Sequence, residues 1–192
     1  MKSVVLVFAL SVAIMTPSVN GQNVFVSDQQ DITGTVNGNL IILDGGTATV
    51  LGATIKGNVI VRPGGILDSA FATVEGNVNA RGALTIAVFG DVIEGNLNIR
   101  SSGSQDGIGF FSTTVFGNVN IRWNNAQIIA FSFPGLGTGN MILGNVSVVG
   151  NTAVNAITIA DNEIGGNLIC RRNSPLPEVS GNVVIGNTFC DD

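Results

Sequence analysis

A Gly-Asn dipeptide that recurs at nearly constant spacing constrains this 192-residue chain more than any other feature. The dipeptide occurs 11 times, whereas the 26 Gly and 22 Asn of the chain would give roughly three in random order. Eight of these dipeptides follow one another at intervals of 19 residues at first and of 20 to 27 residues later, with glycines Gly38, Gly57, Gly76, Gly95, Gly117, Gly144, Gly166 and Gly186. Such a period is typical of solenoids, in which each repeat stacks on the next.

The residues after each Gly-Asn pair alternate between apolar and other types, as in Leu40 and Ile42 or Val59 and Val61. Period two indicates a strand with one buried face, and no segment shows the spacing of an amphipathic helix. We therefore predict an all-β fold, a single parallel β-helix of about 8 coils of 19–27 residues. Variable coil length favours a right-handed helix; the alternative is a left-handed hexapeptide helix, whose coils of about 18 residues vary less.

The asparagines of the repeat occupy one predicted column along the axis. Stacked amides can hydrogen-bond from coil to coil, which predicts a structural ladder. Strict alternation would turn these side chains outward, so an inward ladder needs a bend at the preceding glycine. The other interpretation is an exposed row that binds sugar or water. The predicted ladder contains Asn39, Asn58, Asn77, Asn96, Asn118, Asn145 and Asn167.

A second column is basic and consists of Arg62, Arg81, Arg100, Arg122 and Arg171, interrupted by Leu43 and Val149. One interpretation is a solvated row that prevents sideways pairing of strands. The other is a stripe that binds an acidic polysaccharide, a mineral surface or another anion, because guanidinium groups make paired hydrogen bonds to carboxylate or sulfate. Candidate surface-binding residues in this stripe are therefore Arg62, Arg81, Arg100 and Arg122.

The longer coils predict loop inserts near residues 101–112 and 123–140, and six of the ten aromatic residues that follow residue 21 lie within residues 110–133. Loops of this kind leave a solenoid on one side and often form its binding surface. The candidate surface residues here are Trp123, Phe131 and Phe133. The alternative is that the phenylalanines stack inside a widened coil, whereas an exposed patch would serve self-association or carbohydrate stacking.

The N-terminal segment, residues 1–21, is predicted to be a secretory signal peptide. Lys2 precedes an apolar run from Val4 to Met15, which is too short to span a bilayer. The remaining residues, 22–192, form the β-solenoid domain, and we expect it to be secreted and extracellular. In an oxidising compartment, Cys170 and Cys190 favour a disulfide, since they lie 20 residues and thus one coil apart in the same column.

The composition excludes several kinds of activity. The chain has no His, which removes Ser-His-Asp and Cys-His catalysis and most zinc sites. With 8 basic residues and a net charge of −5 it is a poor nucleic-acid binder, and no membrane partner is expected for the mature form. Glu75 and Glu94 share a column at the spacing of a retaining glycosidase pair, but one-coil stacking produces that spacing by itself. No cofactor, metal or catalytic residue is predicted.

The chain resembles parallel β-helix repeat proteins of the Gly-Asn-rich kind found among small uncharacterised bacterial secreted proteins. The likeness covers about residues 32–190 and includes the cysteine-containing ends of the last two repeats, Gly166 to Cys170 and Gly186 to Cys190. The chain is also similar, more distantly, to bactofilin-type polymer-forming solenoids. The resemblance implies a solenoid with a cysteine-paired terminus, and it implies no particular activity.

These observations favour a non-catalytic secreted protein with a structural, adhesive or surface-binding role in extracellular matrix, cell wall or mineral-associated material. Its candidate partners are an acidic polysaccharide, a mineral surface or a second copy of itself. The alternatives are a carbohydrate-active β-helix enzyme, a lyase or hydrolase, and an ice-binding protein. The ice-binding hypothesis depends on a threonine row at Thr54, Thr73 and Thr114, which Val92 interrupts.

Overall fold

The computed structural model describes residues 21–103, 107–132, 135, 137 and 139–190. These residues form 25 strands, labelled β1 to β25 in chain order, and no helix. The predicted signal peptide falls outside the described residues except for Gly21, and so does Phe133. The predicted fold class is confirmed: the strands stack in parallel as a β-solenoid of about 8 turns.

The strands belong to three parallel sheets, and each coil contributes one strand to each sheet in turn. Sheet A contains β1 (Val24–Val26), β4 (Leu40–Ile42), β7 (Val59–Val61), β10 (Val78–Arg81), β13 (Leu97–Arg100), β16 (Val119–Arg122), β19 (Val146–Val149), β22 (Leu168–Arg171) and β25 (Thr188–Phe189). Sheet B contains β2 (Gln29–Ile32), β5 (Thr47–Leu51), β8 (Ile66–Ala70), β11 (Thr85–Phe89), β14 (Gly107–Phe111), β17 (Asn125–Phe131), β20 (Thr152–Ala160) and β23 (Glu178–Ser180). Sheet C contains β3 (Thr35–Val36), β6 (Thr54–Ile55), β9 (Thr73–Val74), β12 (Val92–Ile93), β15 (Thr114–Val115), β18 (Met141–Ile142), β21 (Glu163–Ile164) and β24 (Val183–Val184).

The core lies between the three sheets and is filled by the inward half of each alternating strand. Val59, Val78 and Leu97 are in register on sheet A and are buried, as are Leu67 and Ile86 on sheet B. Every inner strand is hydrogen-bonded to a strand on both sides. The β-branched and leucine side chains are therefore buried without leaving a strand edge of unpaired backbone N–H and C=O groups between coils.

The segments predicted to be loop inserts contribute strands of sheet B. Residues 107–111 form β14 and residues 125–131 form β17, because the chain in both coils continues the parallel register of the sheet. Phe131 is therefore a core residue: it is fully buried and packs against Phe110 with ring centroids 4.1 Å apart. The expectation that Phe131 contributes to an exposed surface is wrong, and the alternative, phenylalanines stacked inside a widened coil, describes this pair.

The glycines of the eight regularly spaced Gly-Asn pairs lie at the corner between sheet C and sheet A, where successive coils approach closely. Gly95 donates its N–H to the carbonyl oxygen of Gly76 at 3.0 Å. A Cβ atom on Gly95 would lie 2.6 Å from that oxygen and 2.7 Å from Oδ1 of Asn77. Glycine is required here by contact between coils, since the φ of Gly95 lies outside the left-handed region.

The asparagine after each of these glycines forms a continuous amide ladder. In each step, such as Asn58 onto Asn39, the backbone N–H and the side-chain amide Nδ2 both donate to Oδ1 of the preceding asparagine, at 2.8 and 3.0 Å. The ladder includes all seven predicted residues and extends by one coil at each end, to Asn23 and Asn187. These amides are part of the coil-to-coil bonding, which is the structural interpretation of the column.

Two further asparagine ladders, not predicted from the sequence, lie at the other two corners in the C-terminal half. One joins Asn124, Asn151 and Asn173, and the other joins Asn140, Asn162 and Asn182. Their amide groups also donate inward to backbone carbonyls of a neighbouring coil. Five of these six side chains are buried and Asn182 is partly buried, so these hydrogen bonds satisfy polar groups that are shielded from solvent.

The predicted disulfide between Cys170 and Cys190 is present, with a Cα–Cα distance of 4.4 Å. It joins Cys170 of β22 to the residue that follows β25, because Ile169 and Phe189 are in register and each precedes a cysteine. The last coil has only one neighbour, so a covalent link at this position restricts its separation from the stack.

Candidate functional site

The outer surface of sheet A carries the predicted arginine column in register. Arg81, Arg100 and Arg122 pair directly across β10, β13 and β16, and Arg62 follows the end of β7 in the same position. Period-two alternation puts Ala80, Ile99 and Ile121 inside and leaves the arginines exposed. Four consecutive coils therefore present one arginine each, on strands about 4.8 Å apart along the axis.

A second outward column runs beside the arginines and consists of Asn79, Asn98 and Asn120. Asn98 Nδ2 donates to Asn79 Oδ1 at 3.0 Å, and Asn120 Nδ2 donates to Asn98 Oδ1 at 2.9 Å. Arg122 then donates to Asn120 Oδ1 and to Ser147 Oγ, both at 3.1 Å. Sequence reasoning missed these three asparagines, although each stands two residues before an arginine of the predicted column.

The two columns line one shallow groove with a volume of about 610 Å³. Its lining includes all four arginines and all three asparagines, together with Ile60 and Pro63, and contains no carboxylate. We call this surface the Arg-Asn groove. Its floor of amides supplies hydrogen-bond donors and acceptors beside a row of fixed positive charges.

Charge is strongly segregated between this groove and the rest of the chain. The chain has 13 Asp and Glu residues, yet none lies in any of the nine strands of sheet A. Two guanidinium groups held at the strand spacing of about 4.8 Å repel one another by about 1 kcal/mol even in water, so a row of arginines in register is not a stabilising arrangement by itself. An anion that bridges neighbouring arginines relieves this repulsion, so the groove favours ligands with several negative charges.

Both ends of the arginine row are marked by other residues. Leu43 occupies the arginine position in the coil before that of Arg62, and Asp44 follows Leu43 in the chain. Val149 is in register with Arg122 and ends the row at the other side. Arg171 lies beyond this gap, and its guanidinium carbon is 5.7 Å from the ring centroid of Phe189.

Trp123, predicted as a surface residue, is exposed immediately after Arg122. Its φ is 57°, which turns the chain at the corner between sheets A and B, and 58% of its surface is accessible. Its ring lies over Gly150 of the next coil, where a Cβ atom would collide with the indole Cε3. The indole therefore covers the surface of the next coil, in which Val149 interrupts the arginine row.

The other sequence candidates for chemistry lie away from this groove. Glu75 and Glu94 are exposed in successive coils, each just after a strand of sheet C, and Lys56 precedes them in the same column. Thr54 and Thr73 are in register in sheet C, and Val92 interrupts the row before Thr114. Within the described ranges, no group of three or more acidic or cysteine side chains is arranged to hold a metal ion. Nor does a helix with the length and hydropathy needed to cross a membrane occur in this part of the chain.

One carboxylate is buried inside the solenoid. Asp91 lies at the corner between sheets B and C, in the column that Asn140 and Asn162 occupy in later coils, and it accepts the Ala72 N–H at 2.8 Å and hydrogen-bonds the Ser69 hydroxyl. Burial raises the pKa of Asp91 from 3.8 to about 6, against the opposing effect of these two hydrogen bonds.

The substitution Asp91→Asn is expected to stabilise the protein at pH 7 by on the order of 2 kcal/mol. The carboxyl group of Asp91 binds its proton more tightly in the folded protein than in the unfolded chain, so ionisation of this group lowers the free energy of unfolding. This loss of stability is absent below the unfolded pKa of 3.8 and is complete above about pH 6. Urea unfolding of both proteins at several pH values between 3.5 and 7.5 checks this. The stability difference should grow with pH across that interval, and a difference independent of pH would contradict the assignment.

Comparison with known proteins gives no further guide to function: no family model matches the chain, and neither a curated protein nor a solved structure is significantly similar to it.

Proposed function

We propose that this chain is a non-catalytic secreted protein that binds linear acidic polysaccharides through the Arg-Asn groove of a rigid β-solenoid. The observation that carries the proposal is the groove itself: four arginines and three asparagines line it with no carboxylate, on a chain of net charge −5. An extracellular adhesive or matrix role follows from this binding. The predicted signal peptide and the disulfide between Cys170 and Cys190 support secretion.

The repetitive form of the groove favours a polymer over a small molecule. The groove is shallow and extends along four coils, whereas sites for small ligands are concave and enclose most of the ligand surface. Arginine guanidinium groups match the planar carboxylate of uronic acids and the oxygens of sulfate esters. The amides of Asn79, Asn98 and Asn120 can exchange hydrogen bonds with sugar hydroxyl groups.

A carbohydrate-active enzyme is less well supported by the same geometry. Glu75 and Glu94 follow strands of sheet C, whereas the groove is on sheet A, so the only paired carboxylates weighed for catalysis lie outside the surface that suits the substrate. The mineral and self-association hypotheses are less well supported, because neither makes use of the amide row.

The double substitution Arg81→Gln/Arg100→Gln is expected to lower affinity for polygalacturonate at least tenfold at low salt, because two of the four charges are lost. Isothermal titration calorimetry at two salt concentrations provides the measurement, and the salt dependence should become shallower in the variant. The matched control is Lys56→Gln/Arg172→Gln, which changes the net charge equally but alters no residue lining the groove. Equal affinity of both variants, or no binding by the unmodified protein, would rule out the proposal.

A further inference from the structure

We infer that the bound polysaccharide lies parallel to the solenoid axis and stacks one sugar ring on Trp123 at the C-terminal end of the arginine row. This inference rests on the proposed function and adds to it the orientation of the ligand and a residue that distinguishes a sugar polymer from other polyanions. It combines three observations: the spacing of the charges, the asymmetry of the two ends, and the position of the indole.

The spacing of the arginines selects for the repeat of the ligand. The parallel register of sheet A fixes one guanidinium group per coil, so the row from Arg62 to Arg122 spans three intervals, or about 14 Å. An extended acidic peptide presents side chains on one face about 6.6 Å apart and loses register with the row within two residues. A sugar unit of an extended polysaccharide is comparable in length to the axial rise of one coil, about 4.8 Å. Charges on every sugar unit or on every second unit therefore stay in register with the arginine row.

The two ends of the groove differ in charge. At the N-terminal end, Leu43 ends the row and the carboxylate of Asp44 follows, beside Gly64 in the next coil. At the C-terminal end, Val149 replaces the arginine and no Asp or Glu lies in β19 or β22. A polyanion is therefore repelled at the first end and is free to continue past the second.

Trp123 lies where the polymer leaves the arginine row. Its backbone N–H donates to the Val149 carbonyl oxygen at 3.1 Å, which places the residue beside the coil that lacks an arginine. The indole is supported by Gly150, where any side chain would collide with it, yet more than half of its surface remains exposed. A rigid aromatic surface of this kind can pack against the C–H groups of a sugar ring, an interaction that a phosphate chain cannot make.

The substitution Trp123→Ser tests this inference, since Ser101 holds the equivalent positive-φ position one coil earlier. Affinity is measured by calorimetry for two probes, octagalacturonate and sodium polyphosphate, and circular dichroism checks that the variant is folded. We expect Trp123→Ser to lower affinity for octagalacturonate about fivefold and to leave affinity for polyphosphate unchanged. Trp123→Phe should retain most of the affinity for the sugar.

The unmodified protein offers an independent measurement, because Trp123 is the only tryptophan of the chain. Its fluorescence should change on titration with octagalacturonate and stay nearly constant with polyphosphate. Loss of octagalacturonate binding in Arg81→Gln/Arg100→Gln but not in Trp123→Ser would overturn this inference and leave the proposed function intact. An equal loss for both probes in Trp123→Ser would also overturn it, whereas failure of both arginine and tryptophan variants to change binding would remove the proposed function as well.

Discussion

The substitution Gly95→Ala is expected to destabilise the solenoid by at least about 3 kcal/mol. The added methyl group would lie 2.6 Å from the Gly76 carbonyl oxygen and 2.7 Å from Asn77 Oδ1. Neither oxygen can move aside, because the first accepts the Gly95 N–H and the second accepts two hydrogen bonds from Asn96. The coils must therefore separate at this corner, which strains the parallel pairing on both sides.

Urea unfolding followed by circular dichroism measures this effect, with Gly103→Ala as the matched control. Nothing lies within 4 Å of a Cβ atom on Gly103, and its backbone is outside the left-handed region. The control should keep the stability of the unmodified protein or exceed it slightly, because alanine restricts the unfolded chain. If Gly95→Ala unfolds at the same urea concentration as Gly103→Ala, close stacking of the glycine column does not limit stability.

The second large effect is expected for Asn151→Ala, which we predict to cost about 3 to 5 kcal/mol. Asn151 Oδ1 accepts both the backbone N–H and the Nδ2 group of Asn124, at 3.1 and 2.9 Å, and its own Nδ2 donates to the Ile121 carbonyl oxygen at 2.9 Å. All of these groups are buried, so alanine leaves several polar atoms without partners and opens a small cavity.

The control for this experiment is Asn155→Ala, which removes an exposed amide from β20, the sheet B strand that follows Asn151 in the same coil. In chemical denaturation, the free energies of unfolding of the two variants should differ by most of the cost predicted for Asn151→Ala. Native-state hydrogen exchange gives a second measurement, since the amide of Asn124 should lose protection in Asn151→Ala. Retained protection together with unchanged stability would show that water replaces the lost amide, contrary to the prediction.

The parallel solenoid follows from the sequence because its physical cause is periodic. The Gly-Asn pair marks the same tight corner in every coil, and the alternation after it marks the same strand of sheet A, so eight repetitions reinforce one interpretation. The amide ladder from Asn39 to Asn167 was predictable for the same reason. Its extension to Asn23 was not, because the first coil has Gln22 in place of the glycine.

The interior ladders and Phe131 show where periodic reasoning stops. Asn140 and Asn151 also follow glycines, but their spacing differs from that of the main column, so nothing in the sequence alone places them at a corner. Phe131 lies in a coil of unusual length, and whether its side chain points inward depends on the register of β17 against β14. The arginines of the candidate site were predictable from alternation, whereas the asparagine row became evident only when the pairing of the strands was known.

The uniform register of the coils between Gly38 and Gly95 has an evolutionary consequence. Each 19-residue segment in this region ends where the next begins, so copying or deleting one whole segment preserves every pairing partner above and below it. Residues 77–95, for example, carry one arginine and one asparagine of the groove. Duplication of one such stretch of the gene can therefore add one arginine and one asparagine to the groove, and the other coils need no change in sequence.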